Sequence, residues 1–185
     1  MLRPKGASKQ EVANQQIAIQ YIFAHPEVVH PFGYIQLADV LWRAGDRERA
    51  AFWFYIFQSR TRAWVVEDPD PSRYPAARTS LNEEWGKPIN EWIGSDVNAW
   101  HDLAARAISY EKKFPFYRGK IDSASDSEWQ AALIAERHTY EQGFTHVFTK
   151  LLADGGKSSG EQRRANGLYV GPWKNPGQPL LDAWR

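Results

Sequence analysis

Apolar residues recur along most of this chain at intervals of three and four, the period of an α-helix packed on one face. The first such segment opens with Ser8-Lys9-Gln10-Glu11, a capping box in which the serine hydroxyl and the glutamate carboxylate satisfy each other's backbone N–H groups. Val12, Ala13, Ile17, Tyr21 and Ala24 follow at helical spacing, and Pro26 closes the helix by pushing the residue before it out of the α region. Tyr34 to Ala44 predicts a second helix ended by Gly45, and Asp46 caps a third that runs to about Arg62. Together they form a helical hairpin. Its second helix contains Ala50-Ala51-Phe52-Trp53-Phe54-Tyr55-Ile56-Phe57, apolar on every side, so other helices must surround it. A buried strand competes for so short an aromatic run, but the flanking Arg47-Glu48-Arg49 and Gln58-Ser59-Arg60-Thr61-Arg62 favour helix.

Residues 65–79, with Asp68-Pro69-Asp70-Pro71 and Pro75, predict a loop. A short helix from Leu81 to Trp85 follows, interrupted by Gly86-Lys87-Pro88. Gly94-Ser95-Asp96 starts another helix, which puts Val97, Trp100, Leu103, Ala104, Ala107 and Ile108 on one face and ends near Phe114-Pro115. A second capping box, Ser125-Asp126-Ser127-Glu128, opens the longest helix. Its stripe is Trp129, Leu133, Tyr140, Phe144, Val147, Phe148 and Leu151, continuing to Ala153. Gly143 inside that stripe costs about 1 kcal/mol relative to alanine, which predicts a close helix crossing, a kink or a break there. Gly155 to Gly160 predicts a flexible loop, and a turn or two of helix from Glu161 to Asn166 stops at Gly167. From Gly171 onward three prolines and two glycines exclude regular structure, yet Trp173, Leu180, Leu181 and Trp184 are too apolar for a free tail. The organisation expected is all-α: one globular helical domain over residues 1–170, and an irregular tail over 171–185 docked on it.

Composition changes this picture in one respect. Nine Trp, eight Tyr and nine Phe make up 14% of the chain, and aromatics beyond what one small core holds mark an interface. The other totals mainly exclude. With no cysteine there is no disulfide, thiolate metal site or cysteine nucleophile, as suits a reducing compartment. Arg3, Lys5 and Lys9 precede Glu11-Val12-Ala13-Asn14-Gln15-Gln16 rather than the apolar core of a signal peptide. The longest apolar run, Ala50 to Phe57, is far shorter than the ~20 residues of a membrane span. A cytoplasmic protein without a membrane partner is expected. Lys and Arg number 23 against 22 Asp and Glu, so no basic footprint points to nucleic acid. The local clusters, Lys112-Lys113 with Arg118 and Lys120, and Arg163-Arg164, read as solvated faces.

Candidate chemistry is sparse. Gly155-Gly156-Lys157-Ser158-Ser159-Gly160 superficially resembles a phosphate cradle, but a helix precedes it rather than a strand and no upstream glycine is in register. His25 and His30 straddle the Pro26 turn, and His138 and His146 are two helical turns apart with Gln142 between them, which makes no ligand set. Glu83-Glu84 and Asp68/Asp70 belong in or near turns, and no serine stands in a Gly-x-Ser-x-Gly elbow. No cofactor, metal or catalytic residue is expected.

The hairpin's spacing of Tyr34, Leu37, Ala38, Leu41, Gly45, Ala50, Phe54 and Phe57 resembles one tetratricopeptide (TPR) or Sel1-like unit. A single unit forms no solenoid, so it is a packing motif inside a globule. Phe52-Trp53-Phe54-Tyr55 followed by Gln58, Arg60 and Arg62 resembles the signature of a group of uncharacterised small bacterial helical proteins. Arg163, Arg164, Asn166, Gly167 and Leu168 resemble that group's C-terminal motif. The resemblance spans about a tenth of the chain and implies a bacterial origin without supplying catalytic residues. In physical terms Gln58 and Arg62 are one turn apart, and the helix dipole favours an arginine at the C-terminal end.

These features favour a non-catalytic protein that binds another protein, most specifically a cytoplasmic immunity protein neutralising a toxin encoded nearby. A TPR-like adaptor or chaperone, and a small enzyme with an interhelical pocket, are the alternatives. The residues assigned to partner binding are Gln58, Arg62, Arg163, Arg164, Trp173 and Trp184.

Overall fold

The computed structural model describes residues 8–114 and 120–184, and every regular element among them is a helix. In chain order these are α1 (Lys9–Ala24), α2 (Gly33–Arg43), α3 (Arg47–Arg60), α4 (Arg62–Glu67), α5 (Tyr74–Leu81), α6 (Lys87–Ile93), α7 (Val97–Glu111), α8 (Asp126–Leu151) and α9 (Lys157–Ala165), with short 3-10 turns at Pro26–Val28 and Asp182–Trp184. Arg3, Lys5, Pro115 and Arg118 lie outside the described residues, as do the side chains of Lys9 and Val12.

The fold is organised around α3. Ala50 to Phe57 are all buried, and Phe52, Trp53, Phe54 and Phe57 expose no surface at all. Antiparallel α2 covers one side with Tyr34, Leu37, Ala38 and Leu41, and the expected hairpin is formed with Gly45 at its turn. α7 covers another with Leu103, with Ala104 and Ala107, whose small side chains allow close approach, and with Tyr110, 5.5 Å from the Phe52 ring. α6 contributes Ile89 and Ile93. A smaller cluster, in which Trp64 of α4 meets Trp129 of α8 edge to face at 4.4 Å, extends the core beyond the end of α3.

Arg60, in the last turn of α3, is buried among these helices with only 1% of its side chain exposed. It lies 3.6 Å from the equally buried Glu111 of α7 and donates to the Tyr34 hydroxyl of α2 at 2.9 Å. Arg137 of α8 grips the same carboxylate at 2.9 and 3.0 Å and also donates to the Phe114 carbonyl. One carboxylate thus holds two guanidiniums and ties four helices together. Burial pushes the Tyr34 phenol up to about 12, against the opposing pull of Arg60.

Both capping boxes form as read, Ser8 with Glu11 and Ser125 with Glu128. Other details differ. On α1 the residues that pack on the core are Ile19, Ile22 and Phe23, whereas Ile17 and Tyr21 are 68% and 53% exposed. The helix is apolar on two sides, and Phe23, stacked on Trp53 and edge to face with Trp184, decides which side is buried. α3 stops at Thr61, whose hydroxyl turns back to the Phe57 carbonyl, and α4 continues to Glu67, so only residues 68–73 form the expected loop. Within that loop Asp68 accepts from the Asp70 and Tyr74 N–H groups, the latter at the start of α5. No break occurs at Gly86: a π-helical turn over Asn82–Gly86 joins α5 to α6. That turn accommodates Pro88, which has no N–H to continue an α-helical ladder. α8 runs unbroken through Gly143, and no neighbouring helix crosses there. Val147 on the expected stripe is 45% exposed. α9 begins at Lys157, earlier than the Glu161 expected.

The segment from Gly171 has no regular structure before its last turn but is held at many points. Trp173 donates to the Ile93 carbonyl, Trp92 to the Lys174 carbonyl and Arg49 to the Pro179 carbonyl. Asp46 precedes α3 but makes no side-chain cap to it; its carboxylate accepts instead from the Gln178 N–H at 2.9 Å. The Pro176 carbonyl in turn receives the Glu48 N–H of the first turn of α3 at 2.8 Å. Gly177 between them has φ +85°, and a Cβ there would sit 2.5 Å from the Asp46 Cα, so glycine is required twice over. Leu180 is buried, Leu181 stays exposed at 36%, and Trp184, 1% exposed, stacks on Phe52 at 5.1 Å.

Replacing Glu111 with alanine strands two guanidiniums and is expected to lower stability by about 3–5 kcal/mol in urea denaturation. A loss under about 1 kcal/mol would show that neither arginine depends on it. Deleting residues 171–185 uncovers Phe52 and frees the first turn of α3. A drop of several degrees in Tm, from the loss of a few kcal/mol of burial, is the expected calorimetric result.

Candidate functional site

Where α3 ends, its polar last turns emerge between α6, α7 and α8 and leave an open cleft of about 450 Å³. The walls are aromatic: Tyr55 of α3, Trp100 of α7, and Tyr140, Phe144 and Phe148 of α8. Tyr140, Phe144 and Phe148 line up because residues four apart share a helix face. Phe148 meets Trp100 edge to face at 5.1 Å and lies 4.7 Å from Phe144. Gly143 contributes the space between Tyr140 and Phe144, since a Cβ there would meet nothing within 4 Å. Val147 forms an exposed apolar rim.

The polar groups of the cleft are bonded mainly to one another. Trp100 donates to the Tyr55 hydroxyl at 2.6 Å, which donates to the Asn90 side chain at 3.1 Å. Tyr140 donates to the Gln58 side-chain carbonyl at 3.3 Å, and the Gln58 amide reaches Asn82 at 3.4 Å. Arg62 pairs with Glu136 of α8 at 2.8 Å. Behind them Arg78 of α5 donates to the Thr61 hydroxyl at 3.1 Å and to the Gln58 backbone carbonyl at 3.2 Å. Burial pushes the Tyr55 and Tyr140 phenols well above the usual tyrosine range, with Arg78 and Arg62 pulling Tyr140 back only in part. Both therefore act as hydrogen-bond donors and are poor proton acceptors. Burial and the nearby Arg62 hold Arg78 below the ordinary arginine range.

Of the residues assigned to partner binding, Gln58 and Arg62 meet in this cleft. Arg163 and Trp173 lie elsewhere, at the end of α6. Arg163 donates to the Glu91 carbonyl at 2.6 Å, and Trp173 packs 5.0 Å from Trp92. Arg163 is thus bound to backbone rather than solvated, whereas Arg164 is exposed. Trp184 lies inside the core and has no surface to offer a partner. Tyr55, Trp100, Tyr140 and Phe144 read from sequence as core-face positions rather than site residues, and Asn90 carries no signal of its own. The available signal was the aromatic spacing of Tyr140, Phe144 and Phe148 around a glycine that causes no kink.

The glycine-rich segment lines a separate hollow of about 230 Å³, where the start of α9 faces the start of α7. Each helix start is occupied by its own carboxylate. Asp154 accepts from the Ser158 N–H and hydroxyl, which hold it below the usual carboxylate range, and Asp96 accepts from the Ala99 N–H. Gly156 is explained by packing: it has φ +82°, and a Cβ would sit 2.5 Å from Val97 Cγ1. No group of three His, Asp or Glu side chains is placed to hold a metal ion among the described residues, and His138 simply pairs with Gln142 at 2.9 Å. No helix among the described residues is long and apolar enough to cross a membrane.

Comparison of the chain with family models, with curated proteins and with solved structures finds no match.

A raised phenol pKa fixes the sign of the alkaline response. In the unfolded chain tyrosine ionises near pH 10, whereas Tyr34 and Tyr110 hold their protons to about 12 and burial raises Tyr55 and Tyr140 as well. Their stabilisation is therefore full below about pH 10 and is lost as pH rises from there through about 12. An absorbance titration of tyrosinate run beside thermal melts is expected to show these four phenols ionising only with loss of the fold.

Proposed function

We propose that this chain is a non-catalytic binding protein that holds a segment of another protein in the cleft between α3, α6, α7 and α8. The observation that carries this reading is the make-up of the cleft. Its walls are Trp, Tyr and Phe, aromatic residues enriched at protein interfaces, and its polar groups, bonded mainly to one another, include the Arg62 cation. Val147 carries the apolar surface beyond the mouth of the cleft, where a partner's surface covers it and a small ligand inside leaves it wet. Neutralisation of a toxin is the specific form of this reading, and its support is the sequence: small size, helical architecture and an aromatic surplus. An adaptor would use the same cleft on a different partner.

Gly143→Trp makes a sharp test, because the new ring fills the cleft from an open position on a helix where glycine itself is unfavourable. Tagged wild type and Gly143→Trp are co-expressed with the product of the adjacent reading frame, and co-purification and growth are compared. The wild type is expected to retain the partner, and to relieve any growth arrest it causes, while Gly143→Trp melts no lower and loses both. Equal retention by the two proteins would exclude the cleft as the binding site.

A further inference from the structure

The charges around the cleft do not balance, and the imbalance lies at one end. Arg62 lines that end, with Glu136 and Arg78 behind it, and all three act on Tyr140 or on one another. Glu136 engages Arg62 through Nε. Arg78 is half-buried, and its hydrogen-bond partners, the Thr61 hydroxyl and the Gln58 carbonyl, are both neutral. Two guanidiniums share one carboxylate, so the group at this end of the aromatic wall carries a net positive charge, which Arg62 presents to the cleft. In such a place a carboxylate gains more than in water, because a charge-assisted bond to a guanidinium is the strongest hydrogen bond on offer. The opposite end is built from Trp100, Phe144, Phe148 and Val147, and brings no charge of its own.

We infer that the occupant of the cleft is an acidic peptide segment, in which an aromatic or branched apolar side chain fills the trough and a neighbouring aspartate or glutamate reaches Arg62, with the charge of Arg78 behind it. This rests on the cleft being the binding site. The peptide carboxylate competes with Glu136 for Arg62, so the intramolecular pair acts as a placeholder for the ligand's own charge. That competition gives the inference a signature that a purely structural ion pair lacks: removing one charge of the pair weakens binding, and removing the other strengthens it.

The probe is a random linear peptide display library selected on the full chain and counter-selected on Gly143→Trp. Enriched peptides are then synthesised and titrated against the variants by fluorescence anisotropy. The expected result is enrichment of an aromatic or branched residue next to Asp or Glu, with affinity falling as salt is raised. Arg62→Gln is expected to weaken binding about tenfold, and Glu136→Gln to strengthen it. Arg78→Lys serves as a second charge variant that keeps the cation but loses the planar fork, and should bind more weakly than the wild type. Peptides that depend on Gly143 but carry no acidic residue, or that ignore Arg62→Gln and Glu136→Gln, would overturn the inference and leave the cleft reading standing. Selection of no Gly143-dependent peptide would overturn both. If 4-phenylbutyrate then raised the melting temperature of the wild type but not of Gly143→Trp, the cleft would belong to a small aromatic acid rather than to a peptide.

Discussion

A helix with no polar face can exist only at the centre of something, and α3 imposes that condition on the whole molecule. Burying an aromatic ring from every direction requires neighbours on every side, so α2, α6, α7 and the tail each owe their positions to a surface of α3. Helix propensity has little part in this. Phe, Trp, Tyr and Ile are middling helix formers, and the segment is helical because its surroundings leave no other way to satisfy the backbone while burying those rings.

The same helix changes character at its end. Phe57 is fully buried, and one residue later Gln58 faces the cleft. Arg60 turns inward to Glu111, while Arg62, past the break at Thr61, turns outward to Glu136. Core and candidate site are thus successive turns of one element. The two ion pairs differ accordingly. The Arg60–Glu111–Arg137 cluster is largely buried and, through its ion pairs and hydrogen bonds, links α2, α3, α7 and α8. The Arg62–Glu136 pair is partly open to solvent.

How much of this was legible in the sequence depended on whether the deciding contact was local. The central helix could be read because eight apolar residues in a row leave no alternative face to weigh, and both capping boxes because their partners are three residues apart. The face that α1 buries could not be read, since its two apolar sides are equivalent until Trp53 and Trp184 are in place. The Arg60 cluster was invisible because a charged residue in a helix is normally solvated, and only folding brings Glu111 and Arg137 to it. Gln58 and Arg62 were singled out from sequence, but the aromatic walls that give them a setting come from α7 and α8. Trp184 was misjudged for the converse reason: an irregular, proline-containing segment gives no periodicity from which to tell an inward-facing tryptophan from an outward-facing one.

The exchange of hydrogen bonds between Asp46, Glu48, Pro176 and Gln178 has a kinetic consequence. The free N–H groups at a helix start are usually satisfied within a few residues, which lets a helix form early from local contacts alone. Here the first turn of the central helix is closed by backbone more than a hundred residues downstream. The hairpin at the heart of the molecule is therefore local in its packing but non-local in its closure. Emerging from the ribosome, α2 and α3 can collapse long before they can be completed, and in that interval the Phe52 and Trp53 rings that Trp184 later covers stay exposed.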